Sequence, residues 1–201
     1  AEELDALDGR FGRYLDVDGD GIPYRTYPGT HPTKGAFFTR GTSRDEYAVY
    51  TENGDAYVDN MERLLDKWET AKQYVPQPEI LKAKGKAKAG IIYYGTSNYA
   101  AQEALDNMRK QGLELDALRI RAFPFNEDVE KFISDHDYVY VVDQNRDAQM
   151  RTLLINELEI NPANLIAVTH YDGMAITATN IEQAVNAHQS ENVDAQNKTA
   201  G

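Results

Sequence analysis

From Ala89 to about Ser190 the chain alternates between two rhythms, and that alternation limits its fold more than any other feature. Ile91–Tyr94, set between Gly90 and Gly95, is a short apolar run, as are Leu118–Phe123, Tyr138–Val142 and Leu165–Thr169. Runs of this length and β-branched content read as strands buried on both faces. The segments between them have helical spacing. Ser97–Lys110 is one, with Gly112 placed as its C-cap. A short helix is capped by Asn126 and carries Glu127 and Asp128 in its first turn, where the helix dipole favours them. Ala148–Leu158 turns Met150, Leu153, Leu154 and Leu158 inward. Thr179-x-x-Glu182 reads as a capping box opening a last helix through Ile181, Ala184 and Val185. Strands alternating with helices imply crossover connections and a three-layer α/β fold, with a mostly parallel open sheet covered on both faces. It occupies residues 90–190, and the polar residues 191–201 read as a frayed tail.

Residues 1–54 follow neither rhythm. The run Tyr24–Glu52 has no sustained period and reads as loop. It nevertheless carries Tyr24, Tyr27, Phe37, Phe38, Tyr47 and Tyr50, an apolar load that predicts an ordered, irregular arm lying against another surface. Residues 55–75 form an amphipathic helix in which Tyr57, Met61, Leu64, Leu65, Trp68, Ala71 and Val75 share one face. Pro76 and Pro78 end it. Residues 76–89 read as a linker, and the basic stretch Lys82–Lys88 as its solvated part rather than an anion-binding patch.

The net charge of −12 argues against nucleic acid or an anionic membrane surface as partner. With no cysteine the chain cannot hold a disulfide or a Cys-ligated iron–sulfur cluster, and this fits a reducing cytoplasm. No apolar run is long enough to span a bilayer. The start AEELDALDGR is not a secretory signal; it lacks an initiator Met and leads us to expect a piece of a longer polypeptide.

Several groups of residues could carry chemistry. Asp16, Asp18 and Asp20 with Gly21 imitate the opening of an EF-hand, but position twelve is Tyr27 instead of Glu, so an Asp/Gly turn is expected and no metal is assigned. Gly95, Thr96, Ser97 and Asn98 join the first strand to a helix, where backbone N–H groups can hold an anion or simply be capped. Asp143, Gln144, Asn145 and Arg146 lie at the C-terminal end of the third strand, the edge where open α/β sheets bind ligands. His136, His170 and His188 are scattered, whereas His31 lies inside the word THPTKG. Arg40, Arg44, Asp45 and Glu46 form a charged knot between Phe38 and Tyr47, and burial there would require pairing.

The arm also carries DGDGIPYRT (Asp18–Thr26), PGTHPTKGAFFTRGT (Pro28–Thr42), DEY (Asp45–Tyr47), YTE (Tyr50–Glu52) and YVDNMERLL (Tyr57–Leu65). In these words the chain resembles the C-terminal part of the alpha subunit of 2-oxoacid:ferredoxin oxidoreductases, most closely the 2-oxoglutarate type. Arg44 stands where that family usually has His, which leaves charge and hydrogen bonding to the position but not proton transfer. The resemblance implies a transketolase C-terminal-like domain after the arm. It implies conversion of a 2-oxoacid and CoA to acyl-CoA and CO2 with electrons passed to ferredoxin. A beta subunit would be the partner, with thiamine diphosphate, Mg2+ and the iron–sulfur cluster held outside this part of the enzyme, which would then shape an interface and not be catalytic alone. It further implies Asp45 as a polar contact near substrate or CoA, and His31, Arg40 and Arg44 facing the same ligands. Gly95, Thr96, Ser97, Asp143, Asn145 and Arg146 would then be interface residues. Two other readings stay open on the residues alone: a flavodoxin-like domain binding a nucleotide at Gly95–Asn98, and a calcium-dependent module using Asp16, Asp18 and Asp20.

Overall fold

The four apolar runs become parallel strands: β2 (Ala89–Tyr94), β3 (Asp116–Ile120), β4 (Tyr138–Asp143) and β5 (Leu165–Thr169). In the computed structural model, which describes residues 1–36, 41 and 43–199, a further short strand, β1 (Glu79–Leu81), completes a sheet of order β1-β3-β2-β4-β5. β1 runs antiparallel to β3, with Ile80 opposite Leu118. Ile91 of β2 is level with Ala117 of β3 on one side and with Tyr140 of β4 on the other. The expected mostly parallel α/β sheet is therefore present.

Period-two alternation sends each strand's side chains to opposite faces. Ile91, Tyr93, Tyr140, Val142 and Val168 meet α3 (Asn98–Lys110) and α6 (Ala178–Thr199). Ile92, Leu118, Val139, Val141 and Leu165 meet α4 (Glu127–Ser134) and α5 (Gln149–Leu158). Both faces are covered, so both parities along β4 are apolar and the strand is readable as an unbroken run.

The helix ends show where local signals hold. Gly112 ends α3 as expected: at φ 87° it sends its N–H to Arg109 O (3.1 Å), and Leu113 N–H reaches Met108 O (2.9 Å). That pair is a Schellman closure. The box that opens α6 is not Thr179–Glu182 but Thr177–Asn180. Asn180 N–H donates to Thr177 Oγ1 (3.2 Å), and Thr177 N–H donates to Asn180 Oδ1 (2.9 Å). Burial of Ile176, Ala178 and Ile181 sets this earlier start, and Glu182 accepts from Asn107 Nδ2 (2.9 Å) instead. Asn126 occupies the N-cap of α4 without a side-chain cap bond; its Nδ2 donates to Gln77 Oε1 and Asp128 Oδ2. α6 continues to Thr199, past Ser190, where the sequence reading ends it.

β1 lies inside the stretch expected to be a linker. Three residues offer no period to read. What anchors the segment is Asp116, whose side chain is 8% exposed. Lys82 Nζ donates to its Oδ2 (2.8 Å) and Ala83 N–H to its Oδ1 (2.8 Å), while His136 Nε2 lies 3.2 Å from Oδ2. Lys82 thus makes an ion pair while its side chain stays 57% exposed, so the stretch is solvated as expected although it is not without contacts.

The chain divides into two compact units, Ala1–Val75 and Pro76–Gly201. In the first, α2 (Gly54–Tyr74) begins at Asn53, whose Oδ1 accepts Asp55 N–H (2.8 Å). The arm lies against the polar stripe of α2. Arg63 donates to Gly21 O (3.1 Å), Thr70 Oγ1 to Asp20 O (2.7 Å), and Asn60 Nδ2 to Arg44 O. Gly21, at φ 74°, approaches so closely that a Cβ would stand 2.2 Å from Lys67 N. The apolar stripe points away: Tyr57, Met61, Leu64, Leu65 and Trp68 are 40–67% exposed, and α2 has no buried residue. The spacing gives one apolar face as expected, but that face is not the one the arm covers.

Two outcomes follow for stability. Gly21→Ala adds left-handed strain of roughly 1–2 kcal/mol to a clash with helix backbone. Amide exchange at Asp20–Ile22 should quicken sharply while that of β4 stays unchanged. Burial alone would raise the Asp116 carboxyl, but Lys82, the Ala83 N–H and His136 outweigh it and hold the carboxyl below its ordinary value. A depressed carboxyl stabilises above the unfolded value of about 3.9, and that contribution is lost as pH falls through the folded value. Asp116→Asn should cost about 1–3 kcal/mol at pH 7 and flatten the acid limb of urea midpoints read by circular dichroism.

Candidate functional site

The arm has almost no regular structure, so its shape comes from side chains bonding to backbone. His31 Nδ1 accepts from Thr33 N–H (3.1 Å) and Lys34 N–H (2.8 Å). The proton is therefore on Nε2, which lies 2.8 Å from Asp5 Oδ1. That bond holds the Asp5 carboxyl below its usual range. Lys34 Nζ donates to Leu7 O (2.7 Å). Thr26, 6% exposed, donates through Oγ1 to Gly35 O (2.9 Å), and Arg13 donates to Thr26 O (3.3 Å). Asp45 Oδ1 accepts from the N–H groups of Tyr47 (3.0 Å) and Val49 (2.8 Å), making a tight turn in which Ala48 has φ 63°. Arg44 then reaches Ala48 O (3.1 Å).

These turns enclose a cavity of about 1120 Å³, walled by Arg10, Arg13, Lys34 and Arg44 together with Phe11, Tyr47 and Tyr50. No carboxylate lines it among the described residues. A separate depression of the same unit is acidic, with Asp16, Asp45, Glu46, Asp59, Glu62 and Asp66 around Arg63. Adjacent residues Arg44 and Asp45 thus serve different surfaces.

The sequence-predicted residues divide accordingly. Arg44 is in the cavity wall. Asp45 is not: one of its oxygens builds the turn that carries Arg44. His31 is a brace joining Asp5 to the Thr33–Lys34 backbone. Arg40 lies outside the described residues. Arg10, Arg13 and Lys34 escaped notice because a loop without a period gives no guide to which residues meet. The three aspartates bring carboxylate oxygens within 4.8 Å of one another. Asp16 accepts Gly19 N–H (2.9 Å) and Gly21 N–H (3.0 Å), Asp20 accepts Ile22 N–H (2.7 Å), and Asp18 accepts Tyr24 Oη–H (3.1 Å). This is the expected Asp/Gly turn.

The second candidate is the crest of the sheet between β2 and β4, where the strand order reverses. Asp143 is fully buried. Its Oδ1 accepts from Tyr94 Oη–H (2.6 Å) and Asn145 Nδ2 (2.6 Å), and its Oδ2 accepts from Met150 N–H (2.9 Å) at the start of α5. Burial, then the bond to Asp143, raises the Tyr94 hydroxyl pKa. Gln144 Nε2 donates to Thr96 Oγ1 (2.9 Å) and Ser97 Oγ (3.2 Å), while its Oε1 accepts Ile176 N–H (3.0 Å). Gln144 thus ties the turn after β2 to the loop before α6. Asp143 and Ser97 are interior residues and cannot present themselves to a partner, contrary to expectation. Gly95, Thr96 and Arg146 are exposed, and Arg146 pairs with Asp147 (2.8 Å). Asn145 Oδ1 accepts the N–H groups of Asp147 and Gln149, both at 3.1 Å. His136 and His188 bond within the domain, to Phe132 O (2.6 Å) and to the Tyr140 hydroxyl (2.9 Å) respectively.

Residues 87–184 match the family described as pyruvate:ferredoxin oxidoreductase core domain II. The chain is similar to subunit alpha of 2-oxoacid:ferredoxin oxidoreductase 2 from Aeropyrum pernix, with 26% identity over 77% of this chain and 24% of that protein. It is also similar to the 2-oxoacid:ferredoxin oxidoreductase subunit alpha of Saccharolobus solfataricus, with 22% identity over 73% of this chain and 24% of that protein. The chain spans about a quarter of the length of these curated relatives. An alignment covering 77% of the chain cannot fit inside residues 87–184 and must take in part of the arm. A structure of 2-oxoglutarate:ferredoxin oxidoreductase from Magnetococcus marinus, with 2-oxoglutarate, coenzyme A and succinyl-CoA bound, shares the fold. Its TM-score is 0.76 at 21% identity, over 89% of this chain and 31% of that one. The resemblance read from the arm is borne out.

Asp143→Ala would leave three partly buried donors without their acceptor, at a cost of about 3 kcal/mol. Tyr94→Phe removes one donor and should cost about 1 kcal/mol. Urea denaturation of the two variants measures the difference.

Proposed function

We propose that this chain, whose residues 87–184 carry core domain II, is the C-terminal part of the alpha subunit of a 2-oxoacid:ferredoxin oxidoreductase. The reaction is 2-oxoacid, CoA and oxidised ferredoxin to acyl-CoA, CO2 and reduced ferredoxin. We take 2-oxoglutarate as the 2-oxoacid, in keeping with the arm motifs and with the substrate of the Magnetococcus marinus neighbour. Within that enzyme this part forms an interface with the remainder of the alpha subunit and with a beta subunit, and it does not turn over substrate alone. The exposed crest residues Gly95, Thr96 and Arg146 are further contact candidates, and the cytoplasm is its place.

The observation that carries this reading is α2. A helix of 21 residues with none buried leaves Tyr57, Met61, Leu64 and Leu65 40–67% exposed. An exposed apolar stripe of this kind marks an interaction surface. No helix among the described residues is long and apolar enough to cross a membrane, so a bilayer-spanning role does not account for the stripe.

Thiamine diphosphate with Mg2+ would supply the carbanion chemistry and an iron–sulfur cluster the electron transfer. The residues here fit neither group. There is no cysteine, and Asp143, the carboxylate at the sheet crest, is engaged by three donors of its own domain. We derive no step through these groups and assign them to other parts of the enzyme. The arm's contribution is positive charge where the reactants are anionic, with Arg44 in the cavity wall, His31 as brace, and Asp45 holding the turn.

The test is dye reduction by the complete enzyme, which should require both 2-oxoglutarate and CoA. Leu65→Asp, at a 67% exposed position, should change the stability of this chain by no more than about 0.5 kcal/mol yet prevent assembly of active enzyme. Full assembly of that variant, or reduction independent of CoA, would sink the reading.

A further inference from the structure

α2 opens on Asn53–Gly54, the only Asn-Gly pair in the chain. Gly54 is the first helical residue, and nothing in the fold asks for glycine there. A Cβ built on it would meet no atom within 4 Å, and its φ is not left-handed. Alanine would fit, and it suits a helix better because less chain entropy is lost. What the missing side chain does change is the chemistry open to the residue before it.

Asn53 presents an electrophilic carbon, Cγ, to a following backbone nitrogen that has no side chain beside it to hinder approach. When Gly54 N loses its proton and attacks Cγ, a C–N bond forms, the Cγ–Nδ2 bond breaks, and ammonia leaves with the proton. The product is a five-membered imide. Water then opens the ring at either carbonyl. Cleavage at Cγ leaves aspartate, and cleavage at the main-chain carbonyl leaves isoaspartate. The net reaction is amide plus water to acid plus ammonia. Asn53 and Gly54 are both exposed, so water has access to them.

The fold decides when this happens. Asn53 has φ −68° and ψ 123°, which turns Gly54 N away from the side on which Cβ lies. Its Oδ1 accepts Asp55 N–H (2.8 Å), and its carbonyl accepts Tyr57 N–H (3.2 Å). The capped residue cannot close the ring until the first turn of α2 opens. Helix ends are among the parts of a structure that open at the lowest free energy. On the arm side, the bridge between Arg44 and Tyr50 lies just ahead, and Thr51 N–H donates to Ser43 O (3.3 Å). Asn53 is thus the joint at which the arm passes into α2.

We propose that Asn53 is a site of spontaneous deamidation, gated by the capped first turn of α2. Its two products differ in consequence. Aspartate caps a helix as well as asparagine does, and its charge suits the positive end of the dipole. Isoaspartate adds a methylene to the main chain at the joint, which shifts the start of α2 against the arm and breaks the spacing of the cap. This modification is independent of the reaction assigned above.

The experiment is incubation of the complete chain at neutral pH, native and in guanidinium chloride, followed by tryptic digestion and mass spectrometry of the peptide Asp45–Arg63. Isoaspartate is assayed with an isoaspartate-specific methyltransferase. Asn53 should convert in both states, at least about tenfold more slowly in the native chain. Asn60, in the same peptide but followed by Met61, should stay intact. Gly54→Ala should keep or raise the melting temperature and slow conversion about tenfold or more in either state. Asn53→Asp should leave the melting temperature unchanged, whereas the isoaspartate form should show faster amide exchange at Asp55–Tyr57. Equal rates in the two states, conversion of Asn60 as fast as that of Asn53, or an unchanged rate in Gly54→Ala each overturns the proposal.

Discussion

Gly21 has no side chain, and the orientation of α2 turns on that absence. Its backbone sits where a Cβ would be 2.2 Å from Lys67 N, so arm and helix meet backbone to backbone. Around this contact Asn60, Arg63 and Thr70 donate to arm carbonyls. An amphipathic helix ordinarily covers its apolar stripe and wets its polar one. Here hydrogen bonding to an irregular loop takes the polar stripe, and the apolar stripe is left outside. The same set of bonds shapes the acidic depression and carries Arg44 toward the basic cavity.

The two units are held by different forces. The sheet unit relies on apolar burial on both faces, with Tyr140, Val141 and Leu118 fully enclosed. Its two buried carboxylates are engaged: Asp116 by Lys82, Ala83 and His136, and Asp143 by Tyr94, Asn145 and Met150. The arm unit buries little beyond Leu4, Gly21, Pro23, Thr26 and Gly35 among its described residues, and its conformation is fixed by side chain to backbone bonds. Such bonds are directional but individually modest in net stability. The sheet unit is held by its core, and the irregular unit by side chain to backbone bonds.

What the sequence disclosed follows from this difference. Leu165–Thr169 could be read to the residue because a strand covered on both sides must be apolar at every parity. Gly112 could be read because a left-handed cap has one preferred residue. β1 is too short to have a period, and the Thr177 cap competed with a better-looking motif two residues later. For α2 the spacing identified which residues share a face but not whether anything covers it. In the arm, Arg10, Arg13, Lys34 and Arg44 meet through turns set by His31 and Asp45. Neither residue announces that role by spacing.

The double use of α2 has a thermodynamic consequence. Asn60 on its polar side holds the carbonyl of Arg44, part of the cavity wall, while Met61, Leu64 and Trp68 on its other side are exposed for contact. One helix therefore belongs to both surfaces. A displacement of the helix at either surface is therefore carried to the other. Coupling of this kind is reciprocal, so whatever tightens one contact must tighten the other by the same factor.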